Sequence, residues 1–150
     1  MNEVIQKEIL ENKLIVLCGV GSNKVAEDLN LKGNPYFFQY PEYGLDPSEV
    51  AVRIEKMIEL CKISPSPIII HTHNDHVING IMVQVYIKFK ELKKEKPDLT
   101  KGISKDEVSI LFIDYGVITK VPIKENGFMA NDLPKGFFDQ FGIDMDRLMT

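Results

Sequence analysis

The chain is poor in cysteine. Cys18 and Cys61 are the only two among 150 residues, they lie 43 positions apart inside apolar runs, and no CxxC pair exists. This excludes a disulfide-dense scaffold and a CxxC redox or zinc site, and reads as two small core residues in a reducing compartment. No uninterrupted apolar run approaches the ~18 residues of a membrane span. The opening stretch, MNEVIQKEILENK, carries acids and lysines where a secretory leader would carry an apolar segment. An excess of basic charge is also missing: 18 Lys and Arg against 22 Asp and Glu leave a net charge of -4 and a pI near 5.4. That balance gives no global drive toward nucleic acid or an anionic membrane, while a local basic face stays open. Internal repeats, low-complexity tracts and long linkers are absent as well. What remains is 44% hydrophobic and 27% charged residues in the length of one ordinary domain. A single cytoplasmic, globular domain over 1–150 is therefore expected.

Periodicity orders the chain. Apolar Val4, Ile5, Ile9 and Leu10 predict a short helix before Asn12. Leu14-Ile15-Val16-Leu17-Cys18, stopped by Gly19-Val20-Gly21-Ser22, reads as a buried parallel strand. A short helix over Asn23–Leu31 and an aromatic strand over Tyr36–Tyr40 follow. Pro47 suits the first turn of a helix with an apolar stripe at Val50, Ile54, Met57, Ile58 and Cys61, ended by Pro65. Ile68-Ile69-Ile70 is a third strand, and a helical pattern runs from Val77 to about Lys94. Val108–Asp114 and Val117–Ile123 predict a hairpin about Tyr115-Gly116, and Leu133–Met149 one or two short helices. Alternating strands and helices define the α/β class: a mainly parallel sheet flanked by helices, with an antiparallel hairpin toward the C-terminus. The strand ends at Gly19, Tyr40 and His71 are expected along one edge, where open α/β sheets bind their ligands.

His71-Thr72-His73-Asn74-Asp75-His76 holds all three histidines of the chain. Three imidazoles and a carboxylate in six residues have the chemistry to ligate zinc. The HxHxDH spacing resembles the metal motif of the metallo-β-lactamase superfamily, which implies a hydrolase with His71 and His73 on one metal and Asp75 and His76 on a second. No histidine follows His76 to complete such sites.

A second resemblance covers more of the chain. Ile68–Gly80, with Thr72-His73 at its centre, resembles the strand and switch segment of ABC-type ATPases of the RecF, SMC and OLD kind. The resemblance makes His73 the switch histidine; His71 stands in place of the usual glutamate. Phe37-Phe38-Gln39-Tyr40-Pro41-Glu42-Tyr43-Gly44-Leu45-Asp46-Pro47 resembles the same family's Walker B and D-loop stretch. It implies that Glu42 is the carboxylate that polarises the attacking water and that Asp46 lies at a dimer interface. Ser104–Phe141 resembles the C-terminal extension of one branch.

The phosphate loop departs from that pattern. Gly19-Val20-Gly21-Ser22-Asn23-Lys24-Val25 follows a strand and offers Gly19, Gly21, Ser22 and Lys24 as candidate nucleotide contacts. It is shorter than G-x-x-x-x-G-K-S/T, and Val25 replaces the magnesium-ligating hydroxyl. No LSGGQ-like signature is present, and only Ser22–Asn34 separates the loop from the Walker B-like stretch. The resemblance thus implies a reduced P-loop NTPase-like core, with ATP and magnesium as its ligands if it binds any. Hydrolysis is expected to be weak or absent, since phosphoryl transfer depends on positioning and charge stabilisation. Such a protein acts by binding, with a homodimeric copy or a related full-length ATPase as partner; a hydrolase completed in trans through Lys24, Glu42 and His73 is the enzymatic alternative.

Plainer readings stand beside these. Gly19–Ser22 also reads as a strand-to-helix turn, Glu42 as a loop acid between Pro41 and Gly44, and Asp75 as a helix N-cap. The basic run Lys88–Lys96 reads as a solvated helix face, with a nucleic-acid patch as the alternative. Phe137, Phe138 and Phe141 read as core or docking aromatics.

Overall fold

Leu14–Cys18 forms β1, the central strand of a five-stranded sheet, with every residue buried. The computed structural model describes residues 2–127; the expected helices of Leu133–Met149, with Phe137, Phe138 and Phe141, lie outside them. In chain order the elements are α1 (Asn2–Glu11), β1, α2 (Ser22–Asp28), β2 (Phe37–Gln39), α3 (Pro47–Ile63), β3 (Ile68–His71), α4 (Asp75–Glu91), β4 (Val108–Asp114) and β5 (Val117–Lys120), with short 3-10 turns at Leu31–Gly33 and Lys105–Glu107. The strand order is β2-β3-β1-β4-β5. β1 pairs in parallel with β3 and β4, β2 pairs in parallel with β3, and β5 pairs antiparallel with β4. The mainly parallel α/β class and the C-terminal hairpin both follow from the sequence pattern.

Strand alternation sorts the core into two layers. Leu14, Val16 and Cys18 of β1, with Ile68 and Ile70 of β3 and Ile110 of β4, pack under Val50, Ile54, Met57 and Ile58 of α3 and Val77, Ile78, Ile81 and Val85 of α4. Ile15, Leu17, Ile69, Leu111 and Ile113 face the other way, onto Ile5 of α1 and Val25 and Ala26 of α2. Each buried Leu, Ile or Met among these contributes about 2–5 kcal/mol relative to alanine. Helices α3 and α4 approach closely at Gly80, where an added Cβ would lie 3.3 Å from the Ile54 side chain. Burial pushes the thiols of Cys18 and Cys61 up to about 12, so both are neutral core groups.

The helix ends are chemically specified. Asp46 caps α3, its Oδ1 accepting from the Glu49 amide at 3.0 Å, with Pro47 in the first turn and Ser64 as the C-cap ahead of Pro65. At α4 the N-cap is Asn74, whose Oδ1 accepts from the His76 amide at 2.8 Å. Asp75, the residue expected to cap, is instead the first helical residue, where its charge faces the helix dipole favourably. The β4–β5 turn places Tyr115 at φ 43° and Gly116 at φ 91°, the two positive φ values of a tight hairpin whose twist matches its strands. β5 ends at Lys120, three residues before the sequence pattern suggested; Val121 still donates its amide to Ile110 O at 2.8 Å. Among the described residues no helix is long and apolar enough to cross a membrane.

Candidate functional site at the carboxyl edge

Parallel pairing brings the ends of β2, β3, β1 and β4 to one edge, in that order. The strand ends, loops and helix starts at this edge carry the candidate residues: Glu42 and Asp46 after β2; His71 at the end of β3, with His73 and then Asp75 and His76 of α4 after it; and Gly19, Gly21 and, in α2, Ser22 and Lys24 after β1. The register sets Gln39 and Leu17 on either side of His71.

The β1 loop packs against the end of β4. Gly19 adopts φ 97°, and a Cβ there would lie 2.3 Å from Ile113 O; at Gly21 a Cβ would lie 2.7 Å from Ile113 Cγ2. Both glycines therefore have a steric reason. The Gly21 amide donates to Ile113 O at 3.1 Å and the Ser22 amide to Gly19 O at 3.1 Å. Ser22, fully buried at the start of α2, places its Oγ 2.6 Å from Gly19 O and 2.8 Å from His71 Nε2.

Those two distances assign the protons. A serine hydroxyl has one hydrogen, and a 2.6 Å approach to a carbonyl oxygen requires it there. His71 then carries its proton on Nε2 and donates it to Ser22 Oγ. Its Nδ1 is left to accept, and the Gln39 side-chain amide lies 3.4 Å away. Strand alternation explains the meeting: His71 shares a face with Ile69, and Gln39 with Phe37, toward α2. His71 is fully buried; desolvation and then the neighbouring His73 imidazole push it down to about 4, so the ring is neutral at pH 7. Ser22 and His71 thus have the spacing of a nucleophile and its base, but the hydroxyl proton points away from the imidazole and neither residue is exposed.

Around this pair is an aromatic and imidazole cluster. The Tyr40 ring lies 5.0 Å from that of His71 and 5.7 Å from that of His73, and the two imidazoles meet edge to face at 5.2 Å. Tyr40 holds φ 50°, a left-handed conformation disfavoured for an aromatic residue, while its amide donates to His71 O at 2.8 Å and its hydroxyl to Asn23 Oδ1 at 2.9 Å. One face further, Thr72 donates its hydroxyl to Glu42 Oε1 at 2.9 Å and accepts from the Asn74 amide at 3.0 Å. Glu42 Oε2 is buried without a hydrogen-bond partner among the described residues. The structure so brings Glu42 and the His71–Asn74 segment together. His73 and Lys24 are exposed, and Asp46 is exposed at the head of α3.

The four potential metal ligands of HxHxDH do not converge: among the described residues no group of three His, Cys, Asp or Glu side chains is placed to hold a metal. Both His71 nitrogens have protein neighbours instead. Gln39 is the member of the cluster to which the motifs gave no role; Thr72 entered only as part of the Thr72-His73 step and Tyr40 only as a strand end. The signal for Gln39 was its place at the end of the aromatic strand, on the same side as Phe37. Comparison of the chain with family models, with curated proteins and with solved structures found no match.

Proposed function

We propose that this chain is a non-hydrolysing relative of the ATPase core that its motifs resemble, and that it acts by binding a protein partner at its carboxyl edge. The observation that carries the reading is the closure of the β1 loop on itself and on β4. A phosphate loop works through backbone amides and a hydroxyl turned toward the ligand. Here the Gly21 and Ser22 amides are bonded to Ile113 O and Gly19 O, and the Ser22 hydroxyl to Gly19 O. These two amides and the hydroxyl are therefore turned away from a bound phosphate, which argues against an ATP and magnesium cradle here. Loss of those donors weakens the positioning on which phosphoryl transfer depends. The exposed Asp46 stretch, with its resemblance to a D-loop, supports a protein partner at this edge.

A second reading is favoured by one observation. Glu42 Oε2 is buried and has no hydrogen-bond partner among the described residues, and a catalytic role is one physical reason for such an unsatisfied oxygen. In that reading a partner supplies the phosphate cradle and Glu42 and His73 do the chemistry. Phosphate release from ATP with magnesium separates the two. The binding reading predicts release no faster than a protein-free blank. Release that falls about a hundredfold or more in Glu42→Gln, a typical cost of losing a general base, would establish the enzyme instead.

A further inference from the structure

The same edge carries a surface that no motif announced. Reading along the strand ends in spatial order, the four loops present Tyr43, His73, Val20 and Tyr115, each exposed and each from a different loop. Tyr43 is 85% exposed, Val20 62% and Tyr115 86%. Adjacent strands lie ~5 Å apart, so these residues mark a row across one side of the molecule. The Val20 and Tyr115 loops are in contact, since a Cβ on Gly21 would lie 3.4 Å from the Tyr115 amide nitrogen. Folding leaves these large side chains in water although the core beneath them is filled, and tyrosine is the residue type on which binding energy concentrates.

The flanking charge selects the partner. Asp46 follows Tyr43 on its loop, Asp114 precedes Tyr115, Asp75 follows His73, and Lys24 is the cation near Val20. None of the three ion pairs among the described residues involves Asp46, Asp75 or Asp114. These carboxylates still outnumber the cations, Lys24 and Arg53, whose Nη1 donates to Pro41 O at 3.0 Å in the Tyr43 loop, so the edge disfavours phosphate backbones and a second copy presenting the same edge. The carboxylates attract Lys and Arg. Building on the non-hydrolysing reading above, we propose that the carboxyl edge is a docking face for a basic protein segment, whose apolar side chains lie on the Tyr43–Val20–Tyr115 row and whose cations meet Asp46, Asp75 and Asp114.

The test pans a random-peptide library against the whole chain and measures the affinity of the enriched peptides. The expected result is a set rich in Lys and Arg with apolar or aromatic residues, bound more weakly at raised salt. Affinity should fall about tenfold or more in Tyr43→Ser and in Tyr115→Asn, and stay unchanged in Leu10→Ser, a control at the far end of the sheet. Tyr115→Asn suits a positive φ, so its effect is read on a folded protein. Enrichment of acidic or neutral peptides, no enrichment, or binding indifferent to both tyrosine variants would overturn the proposal. So would concentration-dependent dimerisation in light scattering that Tyr43→Ser abolishes, since it would assign the edge to a second copy. Glu42-dependent phosphate release would end the underlying reading while leaving the peptide result intact, so the two failures are distinguishable.

Discussion

Ser22 Oγ and His71 Nε2 lie 2.8 Å apart across 49 residues of sequence, both inside the molecule, and their hydrogen bond ties the β1 loop to the end of β3. The bond runs from imidazole to hydroxyl. It makes His71 a fixed donor and holds Ser22 turned toward Gly19, in the loop where the sequence offers its nucleotide contacts.

Removing either partner should therefore cost stability. Ser22→Ala leaves a buried imidazole N–H without an acceptor and should destabilise by about 1–3 kcal/mol. His71→Ala adds a cavity and should cost about 2–5 kcal/mol, while His71→Gln, which keeps an N–H donor, should cost less. Urea denaturation of the three variants checks the order. Nitrogen chemical shifts of the His71 ring check the proton on Nε2.

The pH dependence follows from burial. His71 is held down to about 4 when folded, against an ordinary value of 6.5. Below 6.5 the unfolded chain binds a proton at this residue that the folded chain refuses. Stability therefore falls as pH drops from about 6.5 to about 4, by up to ~3 kcal/mol, and this contribution is complete below the folded value. Above 6.5 both states are neutral and His71 adds no slope. His71→Gln should flatten the wild-type curve in this window, as read by urea midpoints at successive pH values.

The glycines of the loop differ in what they tolerate. Gly19→Ala combines φ 97° with a Cβ 2.3 Å from a backbone oxygen and should cost at least about 3 kcal/mol. Gly21→Ala clashes with the Cγ2 of Ile113, which can turn, and makes ordinary contact with the Tyr115 amide nitrogen at 3.4 Å, and should cost about 1–2 kcal/mol. Thermal or urea unfolding distinguishes them.

Tyr115 is an aromatic residue in the first central position of a turn that prefers Asn or Gly. Tyr115→Asn should raise stability by about 0.5–1 kcal/mol. The unfolding midpoint of the variant measures the stabilisation.

Much of the fold was legible because local signals carried it. Glycines ended β1, Pro47 opened α3, Tyr115-Gly116 turned the hairpin, and apolar spacing marked the buried faces of α3 and α4. What the sequence could not show is the lateral order that puts β3 between β1 and β2, because that order depends on which strand a crossover returns to. The register between Leu17, His71 and Gln39 depends on it in turn. The Ser22–His71–Gln39 contact was therefore hidden, although each residue closes or follows a recognisable strand. The cap of α4 was misassigned to Asp75 because Asn74 and Asp75 are both good caps and only geometry chooses between them. The carboxyl-edge meeting of Glu42 with the histidine segment was foreseeable from parallel topology; the buried donor role of His71, as opposed to a ligand role, was not.

Calorimetric titration of the protein with ATP and magnesium tests most directly whether the β1 loop is closed to nucleotide. The account predicts no saturable heat up to millimolar ATP, a limit of about -4 kcal/mol in binding free energy. Stoichiometric, saturable binding that weakens in Lys24→Ala would contradict it.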